Sequence, residues 1–271
     1  MSSKPVVSCI VITHNRKNLL EKTLNSIINQ EYDRDKIEII VVDDASTDGT
    51  HEFLRNFVAM FHDKIKIKVL RNNTPQFAAG SRNIGALFAQ GKYLFFIDDD
   101  VELTKDCIKE LVNFMETHPD FVAATPLILD SRGMIWNAGV IRHYLGINRS
   151  YPVYRILRLL KEKREYKYVT VDECITAYII RREDFEKIRG FRNKYKFYYE
   201  ESEMFYRLKL VTKKKIASVL TAKVYHHVEG DKLWKISPLK AYLLGRNRIW
   251  FYKEWCNSSI RFTLCVILWI I

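Results

Sequence analysis

The sequence lacks the cysteine patterns, repeats and low-complexity stretches that mark several protein classes. Its 271 residues include five cysteines, an odd number, and no two of them form a CxxC pair. These cysteines indicate neither a zinc knuckle nor a disulfide framework, so a reducing compartment is expected. With 48% apolar and 13% aromatic residues, the chain can build a sizeable core, and its length predicts one large domain with or without a small appendage.

The sequence also shows no signal-peptide pattern at its start and no apolar run long enough to cross a membrane alone. Residues 1–5 lead directly into a strand-like segment, so the body of the protein is expected in the cytoplasm. The apolar run at residues 262–271 is shorter than the roughly 20 residues that a spanning helix needs. Because aromatic and basic residues fill positions 239–255, we expect residues 236–271 to form a helical segment that associates with a membrane surface. The alternatives are that the apolar run begins a membrane-spanning anchor, or that the segment is a helix packed on the body.

The charge balance is strongly positive. Lys and Arg number 44 against 32 Asp and Glu, which gives a formal net charge of +12. Such an excess favours an anionic partner, either a nucleic acid, an anionic membrane surface or a phosphate-bearing substrate. A nucleic acid is disfavoured because the lysines are scattered and no recognised binding motif is present.

Apolar periodicity predicts alternating strands and helices from residue 6 to about residue 115. Residues 6–13, 37–42 and 93–97 are apolar runs typical of buried strands, and residues 65–69 alternate like a half-exposed strand. Helical spacing fills the stretches between them, and Asn15 is expected to cap the first helix. This alternation predicts a mostly parallel sheet covered on both faces. Further along we expect strands at 121–129, 168–180, 216–219 and 222–226, helices near 182–188 and 201–211, and a loop or short helix over the site at 144–168.

Polar residues end three of the predicted strands, as Thr13-His14-Asn15, Asp43-Asp44 and Asp98-Asp99-Asp100. The carboxyl ends of parallel strands meet at one edge of a sheet, where ligands bind, so a site is expected there. Three adjacent carboxylates repel one another and need a cation or a set of donors. Mg²⁺ and Mn²⁺ take oxygen ligands and share them with phosphates. A solvated acidic turn before the next helix is the alternative.

Three further segments carry candidate site residues. In residues 80–85, Arg82 near a helix N-terminus would meet phosphate oxygens, although small residues also suit plain helix packing. Residues 198–203 place acids at a helix start, where one can serve as a general base, and Glu203 is expected to pair with Arg207 at i,i+4. His226-His227 follows a strand-like run and is either structural or a source of a nitrogen ligand.

Taken in order, these segments resemble family 2 glycosyltransferases of the GT-A fold. The matching blocks are residues 7–16, 39–50, 80–85, 96–100, 181–191, 200–201, 225–227 and 245–248, and they span nearly the whole chain. The resemblance implies an α/β domain at residues 5–235, a mostly parallel mixed sheet flanked by helices. Residues 5–115 would bind a nucleotide sugar and residues 116–235 an acceptor. Residues 236–271 would follow as the membrane-proximal segment.

The resemblance also implies residue roles. Thr13 and His14 would lie against the base and ribose, Asp44 would bind the base, and Arg82 would approach the sugar or diphosphate. In the DxD motif, Asp100 would coordinate Mn²⁺ or Mg²⁺, with Asp98 or Asp99 near the ribose. The implied sets are Thr13, His14, Asn15, Arg16, Asp44, Arg82, Asp98 and Asp99 for the nucleotide sugar, Asp100, Asp98 and His226 for the metal, and Glu201 or Glu200 for the general base.

Two positions depart from the family pattern. His14 stands where a Tyr is common, and the base is Glu where Asp is usual, which lengthens the side chain and leaves Glu200 and Glu201 both open. The implied activity is inverting transfer of a sugar from a nucleoside-diphosphate sugar to a hydroxyl of a glycan or lipid-linked acceptor, at the cytoplasmic face of a membrane. A polyprenyl-phosphate sugar synthase, a nucleic-acid-binding protein and a non-catalytic scaffold are the alternatives.

Overall fold

The structure of the protein, a computed structural model, describes residues 5–142, 148–161, 167–227 and 237–255. Within these ranges the α-helices are α1 Lys17–Ile28, α2 Thr50–Phe61, α3 Phe77–Leu87, α4 Cys107–Thr117, α5 Val153–Lys161, α6 Arg182–Lys187, α7 Glu200–Thr212 and α8 Pro238–Trp255. The strands are β1 Val7–Thr13, β2 Ile37–Asp43, β3 Lys66–Arg71, β4 Tyr93–Asp98, β5 Val101–Leu103, β6 Phe121–Asp130, β7 Ile135–Asn137, β8 Val140–Arg142, β9 Asn148–Ser150, β10 Tyr168–Val171, β11 Ala177–Arg181 and β12 Lys215–His226.

One mixed sheet dominates the fold, with its main strands in the order β10-β12-β6-β11-β4-β1-β2-β3. The strands β3, β2, β1 and β4 run parallel, β11 is antiparallel to both β4 and β6, and β12 is parallel to β6. The short strands β5 and β7 pair with β12 and β6, respectively. The predicted α/β class and the parallel first half are therefore confirmed.

Both faces of this sheet are buried, because alternate side chains of each strand enter different cores. Along β1, Cys9 and Val11 belong to one apolar cluster and Ile10 to the other. The helix α3 lies very close to the sheet at Gly85, where a Cβ would stand 2.4 Å from Cγ2 of Ile10. The small residues at positions 80–85 therefore include one needed for helix packing, which was one of the two interpretations of that segment.

Local patterns misplaced some boundaries in the second half. Residues 168–180 were predicted as one strand, but β10 lies at the sheet edge and β11 in its middle, with a left-handed Thr176 just before β11. Two strands were expected at 216–219 and 222–226, but both lie within the single strand β12. The irregularity between them is a bulge in the pairing of β12 with β6. The stretch 144–168 contains the helix α5.

The first helix also begins differently from the prediction. Arg16 occupies the N-cap position, and no side chain caps α1. Asn15 instead adopts a left-handed conformation, and its side-chain oxygen accepts a hydrogen bond from the backbone N–H of Thr47 at 2.7 Å. Asn15 thus joins the turn after β1 to the turn after β2.

The helix α8 packs on the body of the protein. Its inner face buries Phe251 and Tyr252 in a cluster with Tyr195, and Tyr199 and Tyr206 pack against that cluster. Among the described helices, none has the length and apolar character of a membrane span. Residues 262–271, expected to associate with a membrane, lie outside the described residues. The division at residues 115 and 235 stays a prediction.

Candidate active site

The polar strand ends meet at one edge of the sheet, as predicted. β1 lies between β2 and β4, and its pairing places Thr13 beside Asp43 and Ile12 beside Asp98. The Thr13 hydroxyl donates a hydrogen bond to Asp99 Oδ2 at 2.7 Å. The turn after β1 is therefore attached directly to the acidic turn after β4.

Two arginines pair with the three carboxylates of the acidic turn. Asp98 accepts a hydrogen bond from Arg82 Nη2 at 2.8 Å. Arg16 Nη1 donates to Asp99 Oδ1 and to Asp100 Oδ2, both at 2.8 Å. Two arginines thus compensate three mutually repelling acids, which fits a site built to hold charge better than a solvated turn.

Burial sets the protonation of these acids. It raises the pKa of Asp99 to about 7, with Arg16 acting against it and Asp100 adding to it. Burial likewise raises the pKa of Asp98, partly offset by Arg82. Burial also acts to raise the pKa of Asp100, but His226 and Arg16 together hold that pKa below its ordinary value. Asp100 is therefore the acid of this turn that stays charged most readily.

The short pairing between β5 and the end of β12 brings His226 beside Asp100. His226 pairs with Val101 in the sheet, and its Nε2 lies 3.3 Å from Asp100 Oδ1. Asp100 Oδ1 and His226 Nδ1 are both buried and make no hydrogen bond with any described residue. Two of the three expected metal ligands, Asp100 and His226, thus lie together, whereas Asp98 pairs with Arg82.

This arrangement fits a divalent cation that also binds phosphate. Among the described residues, no three His, Cys, Asp or Glu side chains form a metal-holding group. Mg²⁺ and Mn²⁺ can be bound by one or two protein ligands, with water and substrate phosphates completing the shell. Asp100, with a buried oxygen that lacks a hydrogen bond, and His226 would be these ligands.

Arg82 occupies the centre of the site. It lies in the middle of α3, so the prediction that it stands near the helix N-terminus is wrong. Its Nη1 is 3.1 Å from Glu200 Oε1, and its Nη2 is 3.2 Å from Glu201 Oε1 and 2.8 Å from Asp98. One buried guanidinium therefore joins the acidic turn to the start of α7. Its approach to a sugar or diphosphate stays a prediction.

The two candidate bases differ in access. The Glu200 side chain is 5% exposed, whereas that of Glu201 is 17% exposed. Burial raises the pKa of Glu201 to about 8, opposed by Arg82 and reinforced by Glu200 and Asp98. Burial raises the pKa of Glu200 as well, so exposure is what distinguishes the two acids, and Glu201 is the more open carboxylate of the pair.

Asp44 is buried and hydrogen-bonded within the protein. Its Oδ1 accepts hydrogen bonds from Asn72 Nδ2 and the Gln76 N–H, both at 2.7 Å, and its Oδ2 accepts one from the Phe77 N–H at 2.9 Å. Asp44 therefore orders the start of α3. The backbone oxygen of Asp44 lies 2.7 Å from His14 Nδ1, which fixes the imidazole at the same edge. The base contact expected of Asp44 and His14 stays a prediction.

Sequence reasoning missed two aromatic residues of the site. Tyr178 on β11 is buried beside Arg82 and Glu201, whose charges act on its hydroxyl. Trp136 on β7 lies over His226, with ring centroids 4.6 Å apart, and is 37% exposed. The strand-like run that includes β11 could have indicated a buried Tyr178 but not its neighbours, and no motif marked Trp136.

Comparisons with known proteins agree with this architecture. The profile of Glycosyl transferase family 2 matches residues 8–189. A putative teichuronic acid biosynthesis glycosyltransferase, TuaG of Bacillus subtilis (strain 168), is 35% identical over 112 residues, covering 41% of this chain and 42% of that protein. A Campylobacter jejuni GalNAc(5)-diNAcBac-PP-undecaprenol beta-1,3-glucosyltransferase is 40% identical over 108 residues, covering 40% of this chain and 34% of that protein.

Solved structures extend the similarity to almost the whole chain. The crystal structure of GalNAc-T7 with UDP, GalNAc and Mn²⁺ superposes with a TM-score of 0.73 at 20% identity, covering 95% of this chain and 49% of that one. The matched segments span less than half the length of both curated relatives. The mixed sheet and its helices are those of the GT-A fold. Because the family profile matches residues 8–189, about two thirds of the 271 residues, the chain belongs to glycosyl transferase family 2.

Proposed function

We propose that the protein transfers a sugar from a nucleoside-diphosphate sugar to a hydroxyl of a glycan or lipid-linked acceptor, with inversion and with Mn²⁺ or Mg²⁺. The observation that carries this proposal is the contact of Arg82 with both Asp98 and Glu201, which brings the acidic turn and the candidate base together. The undecaprenol-linked substrate named for the Campylobacter relative and the UDP and Mn²⁺ in the GalNAc-T7 structure support it.

Glu201 performs the proton transfer in this mechanism. Its carboxylate removes the proton from the acceptor hydroxyl, and that oxygen attacks the anomeric carbon from the face opposite the leaving diphosphate. Arg82 holds Glu201 while Arg16 orients Asp100. A divalent cation bound at Asp100 and His226 would neutralise the charge that grows on the diphosphate.

The proposal is tested by the stereochemistry of the product. Wild-type protein is incubated with a panel of α-linked nucleotide sugars, membrane-extracted or synthetic acceptors and Mn²⁺, and the new linkage is read by NMR. We expect one donor to give a β-linked product. An α-linked product would exclude the single displacement, and the absence of transfer from every donor would count against the function itself.

The raised pKa of Glu201 predicts a basic pH dependence. Below its pKa of about 8 the side chain is protonated and cannot accept the hydroxyl proton. We therefore expect kcat/KM to rise about tenfold per pH unit up to about pH 8 and to level off above it, because this ratio reports the free enzyme. Steady-state assays across this range check it, with Glu201→Gln as the control that loses this limb. A wild-type profile that is flat below about pH 8 would contradict the assignment.

We further propose that the outer face of α8 rests on an anionic membrane at its cytoplasmic side. Leu239, Tyr242, Ile249 and Trp250 are exposed on this helix. Lys240 and Lys253 lie exposed on the same helix. An apolar stripe with flanking cations is typical of helices that lie in a membrane interface.

Binding to lipid vesicles tests this membrane contact. Replacing both Tyr242 and Trp250 by Ser is expected to weaken sedimentation with phosphatidylglycerol-containing vesicles about tenfold, since it removes roughly 1–2 kcal/mol of apolar burial. Met60→Ser is the matched control, because Met60 is an exposed apolar side chain on α2. Equal vesicle binding by the double variant and the wild type would show that α8 does not touch the membrane.

A further inference from the structure

The proposed chemistry gives no role to residues 245–248, but the contacts of Asn247 in this segment indicate one. Asn247 lies on the inner face of α8 and is 0% exposed. Its side-chain Nδ2 lies within hydrogen-bonding distance of three backbone oxygens, those of Tyr195 at 2.5 Å, Phe197 at 2.9 Å and Tyr198 at 2.8 Å, so one of its two N–H groups is shared between two of them. A single amide group from the C-terminal helix thus gathers the carbonyls of one tight turn.

That turn leads directly into the candidate base. Lys196, Tyr198 and Tyr199 all have positive φ, at 59°, 65° and 64°, and α7 begins at the next residue, Glu200. Left-handed backbone is unfavourable for bulky side chains, and such conformations persist only when the surroundings impose them. No glycine lies between residues 191 and 199, and no side chain caps the start of α7. The shape of the turn therefore depends on contacts from outside it.

Both the nitrogen and the oxygen of the Asn247 side-chain amide have partners that fix its orientation. Its Oδ1 accepts hydrogen bonds from Arg246 Nε at 3.0 Å and from Arg246 Nη2 at 2.9 Å. The oxygen is thereby directed to a cation, and the nitrogen to the carbonyls. A carboxylate at this position would present an acceptor to three acceptors.

We propose that Asn247 is a positioning residue for Glu201. From α8, Asn247 holds the turn at residues 195–199 and thereby determines where the carboxylate of Glu201 lies. This inference rests on the proposed function for its kinetic consequence, but not for its structural one. The hydrogen bonds of the Asn247 side chain go to the turn and to Arg246, not to the acidic turn after β4. We therefore expect the main effect of its loss to fall on kcat.

The test compares Asn247→Asp, which keeps the size and removes the donors, with Asn247→Ser, which keeps one hydroxyl donor. We expect kcat of Asn247→Asp on a water-soluble acceptor to fall about 10²-fold, the cost of misplacing a reacting group by about 1 Å. The nucleotide Kd from calorimetry should stay within about twofold. The kcat of Asn247→Ser should lie between those of Asn247→Asp and the wild type. Ala241→Ser, at an exposed position of the same helix, should match the wild type.

Hydrogen–deuterium exchange of the peptide that contains residues 195–201 gives a readout independent of catalysis. We expect faster exchange in Asn247→Asp, while peptides of β1 and β2 are unchanged. Wild-type kcat in a folded Asn247→Asp, or nucleotide Kd rising in step with the loss of kcat, would overturn the inference. If Asn247→Asp does not fold, wild-type kcat in Asn247→Ser overturns it. If the wild type transfers no sugar, the proposed function fails. Unchanged exchange of residues 195–201 in Asn247→Asp would separately show that Asn247 does not hold the turn.

Discussion

Replacing Glu201 by Gln is expected to lower kcat by about 10²–10⁴-fold, the usual contribution of a general base. The amide keeps the shape of the side chain but cannot accept the hydroxyl proton. Nucleotide binding should persist, because Glu201 contacts Arg82 and not the turn formed by Asp99 and Asp100. The measurement is single-turnover transfer with saturating donor, alongside calorimetry with the same nucleotide.

Glu200→Gln is the matched control for this change. Glu200 shares Arg82 with Glu201 and is more deeply buried, so its loss alters the charge of the pocket without removing the more open carboxylate. We expect a smaller loss of kcat than in Glu201→Gln. Near-normal transfer by Glu201→Gln together with a severe loss in Glu200→Gln would reverse the assignment. Tolerance of Glu201→Gln with transfer to a lipid phosphate would instead favour the polyprenyl-phosphate reaction, since a phosphate acceptor is already ionised.

Replacing Asp100 by Ala is expected to abolish metal-dependent nucleotide binding. Asp100 contributes the carboxylate that fits the cation, with one buried oxygen that lacks a hydrogen bond. We expect the affinity for the cognate nucleotide in the presence of Mn²⁺ to fall by at least about 100-fold, because even the outer partners of metal ligands contribute 10–100-fold. Calorimetry with UDP, GDP, dTDP and CDP, each with and without Mn²⁺, measures this and identifies the nucleotide class.

Glu102→Ala separates this effect from a general change of charge. Glu102 lies two residues away and pairs with His227 at 2.9 Å, outside the Asp100–His226 contact. The Glu102→Ala variant should bind nucleotide as the wild type does. Equal metal-dependent binding by Asp100→Ala would remove Asp100 from the metal site. If the wild type binds no nucleotide with metal present, the donor site itself is absent, and a nucleic-acid or scaffold role becomes the next hypothesis to examine.

Local sequence patterns predicted the parts of the site that depend on strand order. Apolar runs followed by polar residues located the ends of β1, β2 and β4, and the structure places these strands side by side. The i,i+4 spacing of Glu203 and Arg207 predicted an ion pair that is confirmed, with Arg207 Nε 2.6 Å from Glu203 Oε1. These features follow from helix and strand periodicity, which a sequence displays directly.

Contacts between segments that are far apart in the sequence could not be predicted from these patterns. Arg82 and Glu200 are separated by 118 residues, and Asn247 and Tyr195 by 52. No repeat or spacing connects such pairs, because they arise from how helices pack across the sheet. The split of residues 168–180 into β10 and β11 has the same origin, since both pieces have strand-like composition and only the sheet assigns their positions.

The packing of α8 also determines how far the chain can be shortened for crystallisation or soluble expression. Glu254, in the last turn of α8, pairs with Arg192 and with Lys194, and it accepts a hydrogen bond from the Tyr195 hydroxyl. A cut before residue 238, chosen to discard the apolar end, would strip these contacts from the segment that leads to α7. A cut after Trp255 would keep them and still remove residues 262–271.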